Sequence, residues 1–283
     1  MKKSLFGSFY NFLNSYIRVA FIALLILFLG YTSYGSSNNY ITGAPGIKTP
    51  NNIQQNTIRN LVSNNTEYYS NWSGYAVTST QPFTKVSTKF VQPSVTCPAP
   101  GAWTLFWVGF DGFNNGTVEQ AGTAATCSYG ADPTPSYYAW WEMYPTNNIQ
   151  VAPLNVSPGD LINPSVIFDK NTNTYQLKVN NQTTKKHFIE NETCAINLIC
   201  SRQSAEWVIE RPTVSSGYSV LANWETLNFT DSKTSISTSY KPISSFINTP
   251  IDMYNGTTGN ILANVSTLNK QGNSFTDNWI NGQ

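Results

Sequence analysis

From Tyr68 onward the chain is a succession of short runs in which apolar and polar positions alternate. Val, Thr, Tyr, Phe and Trp are concentrated in those runs, and Pro-Gly, Asn-Gly, Asn-Asn and Asp-Gly pairs separate them. Period-two alternation of β-branched and aromatic residues between turn pairs predicts strands rather than helices. Strands are expected at residues 72–77, 85–91, 104–110, 137–144, 161–168, 174–179, 205–209 and 224–229. The C-terminal tail is more polar, but strand-like pieces at 242–247 and 260–265 are expected to complete the same domain. Evenly spaced short strands with turn signals predict an all-β sandwich. No repeat is visible.

Two N-terminal stretches depart from this pattern. Lys2, Lys3 and Arg18 precede an apolar run from Val19 to Leu29, and the small residues Ser33 and Gly35 follow. A positive start, a short apolar stretch and small residues at the cut site define a secretory signal. The run is shorter than the roughly 20 residues of a membrane span. Aromatic residues nevertheless extend its apolar character upstream to Leu5, so residues 1–35 fit either a cleaved signal peptide or an uncleaved membrane anchor. Residues 36–63 are rich in Asn, Ser, Gly and Pro without periodicity, as in a linker or a propeptide. Residues 64–283 then form the folded domain.

Composition narrows the function. Apolar residues make up 40% of the 283 and aromatics 14%, enough for a large core. Charged residues are only 11%, against roughly 25% in an average soluble domain, so Ser, Thr, Asn, Gln and Tyr must cover the surface. A net charge of +1 with no Lys/Arg cluster excludes the footprint of a nucleic-acid binder. Few carboxylates means few native ion pairs for acid to break, a composition that fits an acidic medium without requiring one. The four cysteines of an exported chain suggest two disulfides. Cys194 and Cys200 are near enough to close a short loop, leaving Cys97 for Cys127, although four cysteines allow three connectivities. Nine Asn-x-Ser/Thr sequons suit an exported glycoprotein, but an Asn-rich chain also produces them by chance.

Most hydrolase signatures are missing. The single histidine, His187, sits beside Lys185 and Lys186 and reads as a surface residue, so the common two-histidine zinc site is excluded. There is no Gly-x-Ser-x-Gly elbow, no Asp-Thr-Gly or Asp-Ser-Gly, and no phosphate-cradling glycine loop. Carboxylate and carboxamide chemistry remains, which needs neither metal nor cofactor. Three segments could carry it: 107–112 continuing through 118–123, 139–145, and 204–212. In an extended strand Trp140, Glu142 and Tyr144 share one face, opposite Ala139, Trp141 and Met143. Likewise Glu206, Val208 and Glu210 share a face, opposite the apolar Ala205, Trp207 and Ile209. A carboxylate among aromatics on a sheet face is partly desolvated, which raises its pKa and suits it to proton transfer. The same pattern also describes core aromatics with rim glutamates.

Six motifs in order decide between those readings. They are Asn71-Trp-Ser-Gly74, Trp107-Val-Gly-Phe-Asp-Gly112, Gln120-Ala-Gly122, Ala139-Trp-Trp-Glu-Met-Tyr-Pro145, Pro158-Gly-Asp160 and Ala205-Glu-Trp-Val-Ile-Glu210. In this order they resemble the glutamic peptidases, the eqolisin family of scytalidoglutamic-type enzymes. The resemblance spans most of the domain and weakens after Phe229. It departs at Tyr138, where fungal members can carry an acidic residue. It implies a lectin-like sandwich of two antiparallel sheets of about seven strands, and a secreted, monomeric endopeptidase acting on proteins or peptides in acid. By the same resemblance Gln120 and Glu210 are the catalytic pair. Trp107, Asp111, Trp140, Glu142 and Tyr144 are expected around the cleft, with Asp111 as a turn residue holding the Gln120 loop. Glu206 is expected as an ion-pair or hydrogen-bond partner. A carbohydrate-active sandwich using Glu142 and Glu210, which leaves Gln120 dispensable, and a non-catalytic binding module, against which the intact Gln120 and Glu210 speak, are the alternatives.

Overall fold

In a computed structural model of the chain, residues 41–49, 66–215 and 217–283 are described. The expected signal or anchor, and the rest of the 36–63 segment, lie outside the described residues. The first strands are β1 (Glu67–Tyr69), β2 (Trp72–Thr78), β3 (Lys85–Val91), β4 (Trp103–Phe110), β5 (Val118–Cys127) and β6 (Pro135–Tyr144). Next come β7 (Gln150–Asn155), β8 (Leu161–Asp169), β9 (Thr174–Asn181), β10 (Lys186–Glu192), β11 (Ser204–Glu210), β12 (Thr213–Val214) and β13 (Gly217–Tyr218). The chain ends with β14 (Thr226–Ser235), β15 (Lys241–Pro242), a 3-10 turn at Ile243–Ser245, β16 (Ile247–Asn255), β17 (Asn260–Val265) and β18 (Phe275–Trp279).

Hydrogen bonds link fourteen strands in the order β10-β9-β8-β3-β14-β18-β17-β16-β2-β11-β4-β5-β6-β7, with β1 on β16 and β15 on β14; β12 and β13 form a separate hairpin. The architecture is all-β and sandwich-like, with one continuous hydrogen-bonded path. Strand β14 explains the continuity. Residues Thr226–Phe229 pair with β18 and residues 230–235 pair with β3, and the register shifts between Thr230 and Lys233. Such a bulge bends a strand, here carrying it from one layer into the other. Strands β8 and β9 then pack across the main core onto β4 and β5.

The central strands are apolar on both faces. Every residue of Trp103–Phe110 is buried. Phe106, Val108 and Phe110 enter the main core with Trp207, Ile209, Ala139 and Met143. Trp103, Leu105 and Trp107 point the other way, into a second cluster with Trp72, Trp140, Val208 and Tyr69. The faces expected for β6 and β11 therefore hold. A sheet covered on both sides reads as a nearly continuous apolar run, as Trp-Thr-Leu-Phe-Trp-Val-Gly-Phe does.

Several elements differ from the sequence reading. The stretch 242–247 is not one strand but the last residue of β15, a 3-10 turn and, after Phe246, the first residue of β16. Strand β14 begins at Thr226, because Glu225 takes a left-handed φ of 58°. No strand was expected at β5, whose Ala- and Gly-rich sequence has weak β propensity. Its small residues are needed for close packing: a Cβ at Gly122 would meet the Phe106 carbonyl oxygen at 2.0 Å. The two disulfides are Cys97–Cys127 and Cys194–Cys200. His187 is exposed on β10. Two of the sequons, at Asn71 and Asn181, have fully buried asparagines, which glycosylation of the folded chain could not reach.

Candidate active site

Gln120, Glu142 and Glu210 are brought to one face by strand register. Gln120 on β5 lies directly opposite Glu142 on β6 and opposite Gly109 on β4. Glu210 ends β11, opposite Leu105 of β4 and Trp72 of β2. All three are fully buried. Gln120 donates from Nε2 to Glu142 Oε2 at 2.9 Å, and its Oε1 has no partner among the described residues. Trp107 donates from Nε1 to Glu210 Oε2, also at 2.9 Å. Trp107 is held edge-on against Trp72, with ring centroids 5.0 Å apart. Trp72 in turn stacks on Tyr69, which stacks on Phe113.

A third element closes the site. Residues 41–49 run across it as an extended strap. Thr42 exchanges backbone hydrogen bonds with Thr213, and Lys48 bridges to Tyr69. Gly43 N–H donates to Glu142 Oε2 at 3.0 Å, and the Thr42 hydroxyl lies 2.6 Å from Glu142 Oε1. Ala44 N–H donates to Glu210 Oε1 at 2.9 Å. The Ala44 carbonyl accepts from Trp72 Nε1 at 3.0 Å and Asn71 Nδ2 at 3.3 Å. A Cβ on Gly43 would lie 2.7 Å from Gln120 Nε2, 2.9 Å from Glu142 Oε2 and 3.2 Å from Glu210 Oε2. The three polar groups therefore converge on a single point.

Burial dominates the electrostatics. It pushes Glu210 up to about 8, against the opposing pull of the Ala44 amide and the Trp107, Asn71 and Trp72 side chains, which favour the ionised form. Glu142 is also raised well above the usual carboxylate range, first by burial; Thr42, Gly43 and Gln120 pull it down and the charge of Glu210 pushes it up. Glu142 thus senses the charge of Glu210 across the site.

The other expected residues are placed as follows. Trp140 is fully buried on the same face of β6 as Glu142, two residues before it and opposite Gly122. Tyr144 is half-buried at the edge of the second apolar cluster. Asp111 does not face the cleft. With a left-handed φ of 67° it accepts from Ser201 Oγ and from the backbone N–H groups of Arg202 and Gln203, so it pins the approach to Glu210's strand. Glu206 has no ion-pair partner among the described residues, and neither of its buried carboxylate oxygens meets a hydrogen-bond donor among them; burial first, then the charges of Asp111 and Glu119, push its pKa well above the usual carboxylate range. Asn71 and the strap were not among the residues assigned to the site. The Asn-Trp motif at 71–72 was the available signal for the first, whereas nothing periodic marks residues 41–49.

Fold and site together define an all-β protein with a buried carboxamide–carboxylate centre. The chain belongs to the Peptidase A4 family, whose pattern matches residues 70–276. It is 28% identical to aspergillopepsin-2 of Aspergillus niger over 196 residues, which span 60% of this chain and 65% of that protein. It thus matches slightly less than two thirds of that relative's length. The fold is similar to that of scytalido-glutamic peptidase solved with a transition state analog inhibitor, at 21% identity and a TM-score of 0.62, covering 75% of this chain and 98% of that one. It is also similar to SCP-B, an eqolisin solved in complex with the tripeptide Ala-Ile-His, at 21% identity and a TM-score of 0.60, over 75% and 98% of the two chains.

Proposed function

We propose that the chain is a secreted, acid-acting endopeptidase in which Glu210 is the general base and acid and Gln120 stabilises the oxyanion. The observation that carries this is the convergence of Gln120 Nε2, Glu142 Oε2 and Glu210 Oε2 on the position beside Gly43. With the cleft open to substrate, ionised Glu210 takes a proton from a water, and the resulting hydroxide adds to the peptide carbonyl carbon. The developing oxyanion accepts from the second Nε2–H of Gln120; one such donor contributes roughly 3–4 kcal/mol to the transition state. Glu210 then gives its proton to the leaving amine as the C–N bond breaks. A carboxylate is suited to acid because its ordinary pKa, about 4.3, lets it remain a base where histidine is fully protonated.

Glu142 supports the pair as a positioning residue. By accepting one N–H of Gln120 it fixes the plane of the amide and directs the other N–H at the reacting oxygen. Trp107 holds the Glu210 carboxylate in the orientation that faces the same point. Two disulfides suit export to an oxidising compartment. Among the described residues no helix is long and apolar enough to cross a membrane.

The deciding test is cleavage of denatured casein across pH 2–7 by the processed protein, alongside Gln120→Ala and Glu210→Gln, with a pepstatin control. Acid cleavage that resists pepstatin and is lost in both variants supports the dyad. Activity that survives Gln120→Ala excludes it and favours a chemistry resting on the carboxylates alone.

A further inference from the structure

Strand β11 stops at Glu210, and Pro212 follows. A proline has no N–H for the ladder and biases the residue before it, here Arg211, toward extended backbone. The Pro212 carbonyl accepts from Ser219 N–H at 3.0 Å, which closes the base of the β12–β13 hairpin. Arg211 is buried, with only 6% of its surface exposed. The chain has fifteen Asp and Glu residues, and among the described residues none forms an ion pair with Arg211. Its Nε has no acceptor among them either. A buried cation without a counter-charge adds little to stability and often costs some. Its role is therefore to be sought in what its contacts place.

Those contacts lead to the reacting acid. Arg211 N–H donates to the Asn71 carbonyl at 2.9 Å, and Nη2 donates to the Ser70 carbonyl at 3.0 Å. The guanidinium carbon lies 4.7 Å from the centroid of the Tyr218 ring on β13. One residue thus joins the bend at Ser70 and Asn71 to the β12–β13 hairpin. The bend runs into β2, where Trp72 stands opposite Glu210. The side chains of Asn71 and Trp72 are among the groups that favour the ionised form of Glu210.

None of these contacts depends on a carboxylate. An acid paired with Arg211 would be protonated near its ordinary pKa of about 4, and the clamp would release where the proposed reaction runs. A carbonyl oxygen takes up no proton there, an aromatic face attracts a cation at any pH, and the guanidinium stays charged. The titratable groups that sense Glu210 are Glu142 from β6 and Tyr218 from β13. Burial raises the Tyr218 hydroxyl above its ordinary value, so it is neutral throughout the acid range.

We propose that Arg211 is a positioning residue for Glu210, fixing Asn71 and Trp72 against the acid and tying the β12–β13 hairpin to them by contacts that acid does not titrate. This rests on the peptidase reading above and adds a residue to its machinery. Without the clamp the two side chains drift from Glu210, its neutral form gains, and ionisation needs a higher pH.

The test compares the processed protein with Arg211→Met and Arg211→Lys. Methionine keeps an apolar stem without charge or donor, and a buried charge replaced in this way is expected to leave the urea midpoint close to the parent's. The kcat of Arg211→Met should fall by about ten- to a hundredfold, the scale of a small misplacement at the reacting centre, with KM little changed. The acidic limb of its kcat/KM profile should move to higher pH by up to about one unit, the scale of one lost hydrogen bond to a charged group. Arg211→Lys, which returns a cation and a donor, should recover part of both. An unmoved limb in Arg211→Met overturns the proposal whatever happens to stability, and so does an equal shift in Arg211→Lys. If parent and variants cleave nothing, the peptidase reading fails, and the NMR resonance of Trp107 Nε1–H decides. That group donates to Glu210, so its chemical shift follows the acid's titration in the folded chain. A midpoint raised in Arg211→Met sustains the positioning role, and an unchanged midpoint overturns it. Should Arg211→Met fail to fold, Tyr218→Leu, which removes the aromatic face, takes its place in both measurements with the same outcomes.

Discussion

Gln120 and Glu142 face each other across adjacent antiparallel strands, and the carboxamide of the first donates to the carboxylate of the second at 2.9 Å. The amide that is proposed to bind the oxyanion is thus oriented by a second acid rather than by the backbone. Replacing Glu142 by Ala should free the amide to rotate and lower kcat by about 10²-fold, the scale of losing one preorganised donor. Glu142→Asp, which keeps an acceptor on a shorter arm, should recover part of the loss. Steady-state kinetics with an unchanged unfolding midpoint would separate this from a folding defect; full activity in Glu142→Ala would remove Glu142 from the mechanism.

Trp107→Phe tests the other support. The indole N–H stabilises the ionised form of Glu210, so its loss should raise that group's pKa further. A hydrogen bond to a charged group contributes about 1.5 kcal/mol, equivalent to about one pH unit. The acidic limb of the kcat/KM profile of the processed enzyme should move to higher pH by up to about that much. A limb that does not move would mean that Trp107 only packs.

Stability should fall as the medium is neutralised. Burial raises Glu119, Glu206 and Asp277 well above the carboxylate range, and raises Asp252 to about 6. A folded-state pKa above the unfolded value means that the folded chain binds more protons. That contribution is complete below about pH 4 and disappears as pH rises through the folded value, with a slope of about 1.4 kcal/mol per pH unit per group. For Asp252 the window runs from the ordinary value of 3.8 to about 6. Urea unfolding between pH 3 and 8 should show the decline, and Glu206→Gln, which is neutral throughout, should flatten it. A variant that declines as steeply as the parent would exclude Glu206 as a source.

The disulfides should contribute unequally. Cys97–Cys127 closes a separation of 30 residues and Cys194–Cys200 one of 6. Loop-closure entropy makes the first worth about 3–4 kcal/mol and the second about 2 kcal/mol. Denaturant unfolding of the paired Cys→Ser variants checks the order, and a larger loss for Cys194–Cys200 would contradict the entropic account.

The sequence by itself determined the faces of the central strands and singled out the candidate groups. Alternation along 139–145 and 204–212 assigns each side chain to a face, because in an extended chain neighbours point to opposite sides. The ordered motifs singled out Gln120, Glu142 and Glu210 without any coordinates. Tertiary structure decided what pattern cannot carry. Strand β5 escaped notice because its Ala and Gly residues answer to the approach of Phe106 and Trp107, which is a property of the neighbour and not of the segment. Asp111 holds the 201–203 turn, a partner 90 residues away in the chain. The strap is the clearest instance. Residues 41–49 have no periodicity because their constraints come from a cleft assembled by four distant strands, so only the assembled fold could show that Gly43 sits where Gln120, Glu142 and Glu210 converge.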